Sequence, residues 1–158
     1  MRRLRPRTAA QAGMTLLELV MACAILMVLA SAAIPLARVT VKRQKEAELR
    51  RALREMRTAI DRYKDAADRN LFRIEVGTEG YPPDLETLVK GVKLGAAGDR
   101  QLRFLRHIPV DPMIGRPDWG LRAIQDDPDS TSWGGKNVYD VYSRSTGTGL
   151  DGTRYSDW

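Results

Sequence analysis

The sequence of 158 residues contains one cysteine and one histidine. Cys23 cannot form a disulfide within the chain, and His107 has no cysteine or second histidine near it in sequence to complete a zinc site. Neither a glycine-rich phosphate loop of the Walker type nor a nucleophile elbow occurs in the sequence. These absences exclude the common signatures of zinc, nucleotide and hydrolase chemistry, and we expect the protein not to be an enzyme.

Basic residues are concentrated at the N-terminal end of the chain. The formal net charge is +6, but residues 1–13 contain four arginines and no acid. From residue 14 onward, 22 Lys and Arg stand against 20 Asp and Glu, which leaves a formal charge of +2. A nucleic-acid-binding domain normally carries a clear excess of basic residues on one face. We therefore expect no nucleic-acid partner.

A mainly apolar run follows these basic residues. About 20 such residues can cross a bilayer as a helix, and basic flanks stay on the cytoplasmic side. The sequence predicts a leader at residues 1–13 and a transmembrane helix at residues 14–37, with the remainder on the outer side. Glu18 is a carboxylate near the start of this run. A charged side chain in a membrane costs about 2.5–3.5 kcal/mol on insertion scales, so its presence indicates a function.

Three interpretations of the apolar run compete. A cleaved secretory signal would use the small residues at 30–32 as its cleavage site. A lipoprotein signal would end at Cys23, but the apolar run before Cys23 is short and contains Glu18. The third interpretation is a helix that is retained because cleavage falls in front of it. This last interpretation explains more than the other two, because Glu18 interrupts the start of a conventional apolar signal.

The residues 13–18, GMTLLE, resemble the site that prepilin peptidase cleaves in type IV pilins and type II secretion pseudopilins. The resemblance implies cleavage after Gly13, methylation of Met14 as the new N-terminus, and a role in assembly for Glu18 at mature position five. Phenylalanine is the usual first mature residue, so Met14 departs from the pattern. Pro35 falls at mature position 22, where helices of the family often carry a proline.

Two interpretations of Glu18 follow from its charge. The free α-amine of a neighbouring subunit has a pKa of about 7.7–8.0 and is cationic at neutral pH, so it could pair with the carboxylate in an apolar setting. Alternatively, Glu18 lies solvated at the boundary of the lipid headgroups. The first interpretation predicts that Glu18 sets the axial register between subunits, as buried polar groups do in coiled coils.

Residues 38–69 are predicted to continue the helix in amphipathic form. Pro35 removes a backbone donor and predicts a kink or a locally melted turn around residues 31–35, after which the helical pattern resumes. Apolar residues then recur at three- and four-residue spacing, which indicates one buried helix face. That face consists of Leu49, Ala52, Leu53, Met56, Ala59, Ile60, Tyr63 and Ala67.

Residues 70–158 are predicted to form a small α/β domain. A short capped helix begins at Asp84 and ends at Gly91, residues 94–101 read as a loop, and residues 119–124 and 138–143 are strand candidates. Several segments of this half resemble the major pseudopilin of type II secretion: Tyr81-Pro82, residues 108–112, residues 139–143 and Asp157-Trp158. The resemblance implies an α+β, type IV pilin-like fold, with a long N-terminal helix packed against a small antiparallel β-sheet.

The same resemblance implies a structural calcium ion in the C-terminal loop. Calcium takes six to eight oxygen ligands, and Asp151 and Asp157 are the candidate side chains. A second acidic cluster, Asp126, Asp127 and Asp129, could bind calcium or a basic partner surface. It also fits a solvated Asp-Pro turn.

The function implied is that of a major pseudopilin, a single-pass bacterial inner-membrane protein with a periplasmic C-terminal domain that polymerises into the type II secretion pseudopilus. Its expected partners are copies of itself, prepilin peptidase, minor pseudopilins, the inner-membrane assembly platform and the membrane. One alternative is a pilin of a type IV pilus used for adhesion, motility or DNA uptake. A second alternative, of another class, is a secreted soluble binding module.

Overall fold

The computed structural model describes residues 14–95 and 100–158, with the side chains of residues 32–37 left out. The chain divides into two compact units, residues 1–40 and 41–158. Helix α1, Leu16–Asp68, contributes residues to both units. Its secondary structure is unbroken at residues 31–35, so the continuation through Pro35 is confirmed and the melted turn predicted there is wrong.

The helix face predicted from the apolar spacing is buried in the second unit. All eight of its residues have low exposure, from fully buried Leu49 and Met56 to Ala52 at 6%. Side chains three and four positions apart lie on one side of a helix, so this stripe can be covered by a single layer of structure. Phe72, Leu85, Trp119 and Val141 are among the residues that complete the core.

A short helix and two small antiparallel sheets make up the remainder of the second unit. Helix α2, Leu85–Lys90, starts at Asp84, whose carboxylate accepts a 2.6 Å hydrogen bond from the Thr87 backbone N–H. Strand β1, Val92–Leu94, pairs with β2, Arg100–Leu102. Strand β3, Trp119–Arg122, pairs with β4, Asp140–Ser143. The chain is thus α+β, with a long N-terminal helix and small antiparallel sheets, as a pilin-like fold requires.

The β1–β2 pair corrects one prediction. Residues 94–101 were expected to be a loop because they are rich in glycine and alanine, but Leu94 pairs with Arg100 and Lys93 with Gln101. Backbone pairing between short strands needs no strong side-chain pattern, and the composition of residues 94–101 therefore concealed the pair. The strand predictions at 119–124 and 138–143 are confirmed at β3 and β4, with shorter bounds.

Candidate functional site

The start of α1 carries the described residues of the predicted processing and assembly site. Gly13 lies outside the described residues, and Met14, just before the helix, is 68% exposed. The Thr15 hydroxyl accepts a 3.2 Å hydrogen bond from the Glu18 backbone N–H, so Thr15 caps the helix. A threonine three residues before a glutamate is the sequence signal for such a cap. This role of Thr15 was not predicted from the sequence.

Glu18 lies in the first turn of α1, where the helix dipole favours a negative charge. Its side chain is exposed, and within the described part of the chain its carboxylate has no ion-pair or hydrogen-bond partner. The carboxylate is therefore available to a cation from outside these residues. The two interpretations of Glu18, pairing and solvation, both remain compatible with this position.

The helix in the first unit exposes a large apolar surface. Leu16, Leu17, Leu26, Met27 and Val28 are each more than 60% exposed. A shallow apolar groove runs along one side of this segment, lined by Leu19, Val20, Cys23, Ala24, Met27, Val28 and Ser31. An exposed apolar surface of this extent indicates a site of contact with a membrane or with another protein surface.

The sequence predicts a membrane span at residues 14–37. Among the residues that the structure describes, none of the helices is both long enough and apolar enough to cross a membrane. Pro35 lies in this segment with a helical backbone, and its side chain is outside the described set.

The C-terminal loop is attached to α1 by a buried carboxylate. Glu46, which is 8% exposed, accepts hydrogen bonds from the Tyr155 hydroxyl at 3.0 Å and from the Leu150 N–H at 2.9 Å. Burial, together with the hydrogen bond to Glu46 and its negative charge, raises the pKa of Tyr155 to about 12. This contact joins residues that are 109 positions apart in the sequence.

Arg57 makes a second attachment between α1 and the C-terminal residues. Its guanidinium donates to the Asp140 carboxylate at 2.7 Å, to the Val141 carbonyl at 3.2 Å and to the Trp158 carbonyl at 2.6 Å. Three acceptors on one planar group define its orientation closely. The helix therefore holds both β4 and the end of the described chain.

Asp151, a predicted calcium ligand, is already bonded to protein groups. One carboxylate oxygen accepts from the Thr153 N–H at 3.0 Å and from its hydroxyl at 2.7 Å, and the other lies 3.2 Å from the Arg50 guanidinium. The hydrogen bonds from Thr153, and then the charge of Arg50, lower the pKa of Asp151. Arg50 also stacks over the Trp158 ring, with its central carbon 4.1 Å from the ring centre.

The groups around Asp151 fit a calcium ion poorly, because one carboxylate oxygen is already bonded to Thr153 and the other lies against the cationic Arg50. Asp157, the other predicted ligand, is exposed and accepts a 2.9 Å hydrogen bond from the Ser156 hydroxyl. Within residues 14–95 and 100–158, no three His, Cys, Asp or Glu side chains come together as a metal site. Calcium stays a prediction that rests on the resemblance.

The second acidic cluster lies on the loop after β3. The Asp126 carboxylate accepts hydrogen bonds from the backbone N–H groups of Ala123 at 2.7 Å and Gly134 at 3.1 Å. Asp127 and Asp129 are exposed. Asp126 therefore shapes the loop, whereas the other two carboxylates face solvent.

Comparison with known proteins gives one result for the N-terminal segment. Residues 8–34 match the prokaryotic N-terminal methylation motif, and this range includes Gly13, Met14 and Glu18. The chain matches no curated protein and no solved structure. The chain therefore carries the prepilin-type signal of type IV pilin-like proteins.

Proposed function

We propose that the protein is the major pseudopilin of a bacterial type II secretion system, the subunit that polymerises into the pseudopilus. The observation that carries this proposal is the methylation motif at residues 8–34, which leads directly into an exposed apolar helix. Such a surface requires lipid around it before assembly and neighbouring subunits around it afterwards. A polymer subunit meets both requirements with one helix.

The subunit enters the inner membrane with the basic residues 1–13 on the cytoplasmic side and the C-terminal domain in the periplasm. Prepilin peptidase then cleaves after Gly13 and methylates Met14. The protein is a substrate of this enzyme and performs no catalysis itself.

Glu18 guides each new subunit into the filament. A carboxylate among packed apolar helices needs a partner, and the α-amine of Met14 on the neighbouring subunit is cationic at neutral pH. Because Glu18 has no partner among the described residues of its own chain, it is free to form this pair. The pair sets the axial position of one subunit against the next.

Export follows from polymerisation. The inner-membrane assembly platform, with minor pseudopilins and a separate cytoplasmic ATPase, adds subunits at the base of the filament. The growing filament pushes folded substrates through a channel in the outer membrane.

A pilin of a type IV pilus is the second candidate, since it would carry the same N-terminal signal. Many such pilins close the C-terminal loop with a disulfide, and the only cysteine in this chain is Cys23. Here the loop is attached to α1 through Glu46 and Arg57. This difference favours the pseudopilin.

Mass spectrometry of the mature protein from membranes tests the class of protein. We expect a chain that starts at methylated Met14. A start at Ala33 would identify a conventional secretory signal and a soluble module, and would overturn the proposal.

A deletion strain then separates the two filament candidates. We expect loss of protein secretion with pilus-dependent adhesion, motility and DNA uptake unchanged. Intact secretion together with loss of any of these pilus activities would identify a pilus pilin instead.

A further inference from the structure

An exposed, strongly basic groove lies between α1 and the segment that follows β2. It is lined by three helix residues, Arg51, Arg54 and Arg62, and by Arg106 from the segment after β2. Glu55 is the one acid in the lining. We call this surface the arginine groove. The lining residues carry a net formal charge of +3, whereas the whole chain from residue 14 onward carries only +2. Positive charge is therefore concentrated in the groove.

The four arginines of the groove differ in their contacts from Arg50, Arg57 and Arg122. Arg50, Arg57 and Arg122 each lie within 4 Å of an aspartate carboxylate. Among the described residues, no acidic side chain forms an ion pair with any arginine of the groove. An arginine fork pairs most strongly with carboxylates that it can contact bidentately. The groove therefore matches an acidic surface, and within the described residues the subunit does not place one of its own against it.

The chain carries an acidic surface of the required kind on another loop. Asp127 and Asp129 are exposed, and within the described residues neither carboxylate has an ion-pair partner. The Asp126 carboxylate bonds to two backbone N–H groups at the base of this loop, and the Ser130 N–H donates to the Asp127 carbonyl at 2.9 Å. These bonds order the loop and present both free carboxylates outward.

We propose that Asp127 and Asp129 of one subunit dock in the arginine groove of a second copy. The two surfaces are different patches of one chain, so the contact is head-to-tail and can repeat without closing, as a helical filament requires. Complementary charges of this kind set the register and the rate of association more than they set affinity. The inference rests on the proposed filament, for which it names a contact between the C-terminal domains.

Disulfide cross-linking of full-length protein in membranes tests the contact directly. Cys23→Ala removes the native thiol, and two chains are then made, one with Arg54→Cys and one with Asp127→Cys. Co-expression of the two is expected to yield a disulfide-linked dimer on oxidation, and neither chain alone is expected to do so. A chain with both substitutions is expected to yield a ladder of multimers.

The matched control pairs Arg54→Cys with Val76→Cys, since Val76 is fully exposed and lies on a different loop. Dimers at equal yield with the control would show random collision and overturn the contact. Dimers of the Asp127→Cys chain alone would indicate a symmetric contact and overturn the head-to-tail arrangement.

Charge reversal supplies a second readout that does not depend on cysteine. We expect Arg51→Glu with Arg54→Glu, or Asp127→Arg with Asp129→Arg, to reduce the sheared filament fraction at least ~10-fold, the loss that corresponds to about 1.4 kcal/mol. The chain with all four substitutions is expected to recover most of the filament. Recovery separates a lost contact from a lost fold.

The outcomes separate this proposal from the proposed function. Normal filaments in both reversed variants, without the cross-link, would overturn the contact and leave the pseudopilin intact. Failure of the unmodified protein to form filaments, together with no cross-link between the two cysteine variants, would overturn both. Loss of binding to anionic lipid vesicles in the arginine variant, again without the cross-link, would assign the groove to the membrane surface and overturn the contact.

Discussion

The Tyr155 hydroxyl donates a 3.0 Å hydrogen bond to the carboxylate of Glu46, and both residues are more than 90% buried. Glu46 lies on α1, and Tyr155 lies in a short 3₁₀-helix, Tyr155–Asp157, near the end of the chain. A buried carboxylate is costly unless hydrogen bonds satisfy it. The C-terminal loop supplies two of these bonds, and so the loop and the helix stabilise each other.

Tyr155→Phe should destabilise the protein because Glu46 loses one of its two donors while it stays buried. A hydrogen bond to a charged group contributes about 1.5–3 kcal/mol, so we expect a clear fall in the melting temperature of the detergent-solubilised chain. Tyr139→Phe is the control, since Tyr139 is half-exposed and its hydroxyl has no hydrogen bond among the described residues. Equal melting temperatures for the two variants would contradict the role of the bond.

The pKa of Tyr155 determines how the stability of the protein responds to alkaline pH. The pKa of Tyr155 in the folded protein is about 12, above its ordinary value of 10. A group whose pKa is raised in the folded protein contributes its full stabilisation at pH values below its ordinary pKa. This contribution is lost as the pH rises through the pKa of the folded protein. The free energy of unfolding of the native protein should therefore fall toward that of Tyr155→Phe between pH 10 and pH 12. A difference between the two proteins that is constant over this range would refute the assignment.

Gly120→Ala should destabilise the β3–β4 pair. Gly120 lies directly opposite Tyr142, and a methyl group at residue 120 would overlap the Tyr142 ring. The ring cannot move easily, because Arg122 stacks on it at 4.3 Å and its hydroxyl donates to the Thr131 carbonyl. Overpacking of this kind costs about 1–3 kcal/mol.

A double-mutant cycle isolates the cause of that loss. In a Tyr142→Ala background the ring is gone, so the added methyl of Gly120→Ala should cost little. The unfolding free energies of the four proteins measure the coupling. Additive effects would show that the ring is not what requires glycine at residue 120.

The contacts of Asp151 predict that the C-terminal loop is held by protein groups. Chelation with EDTA should leave the melting temperature unchanged, whereas Arg50→Ala should lower it. The loss should be small, since exposed ion pairs contribute little and the stacking of Arg50 on Trp158 adds a similar amount. Arg51→Ala is the control, because Arg51 is exposed and has no ion pair within the described residues. A melting temperature that rises with calcium and falls with EDTA would instead support the calcium site implied by the resemblance.

Glu18→Val should separate membrane insertion from assembly. The substitution makes the apolar segment more apolar, so we expect insertion to be unaffected and filaments to be absent. Fractionation of membranes and recovery of sheared filaments measure the two steps. Glu48→Val, at an exposed position in the second unit, is the control. Normal filaments with Glu18→Val would refute the role of Glu18 in register.

Patterns that act over a few residues could be predicted from the sequence. The buried face from Leu49 to Ala67 follows from helical periodicity, and α2 follows from an aspartate before a short apolar run. The methylation motif also depends only on neighbouring residues. In each case the interacting positions are within about one or two helical turns, so their spacing along the chain determines their spacing in space.

The contacts that position the C-terminal loop could be identified only from the tertiary structure. Glu46 and Tyr155 are 109 positions apart, and Arg50 and Asp151 are 101 positions apart. No local pattern specifies which helix residue a distant loop will meet, because that depends on how the whole chain packs. The local sequence therefore indicated a metal ligand at Asp151 and gave no sign that Glu46 is buried. By itself the sequence determined the long helix, its buried stripe and the processing motif. Only the packing of the domain decided that Glu46 is buried beneath the C-terminal loop and that Arg50 pairs with Asp151 of that loop.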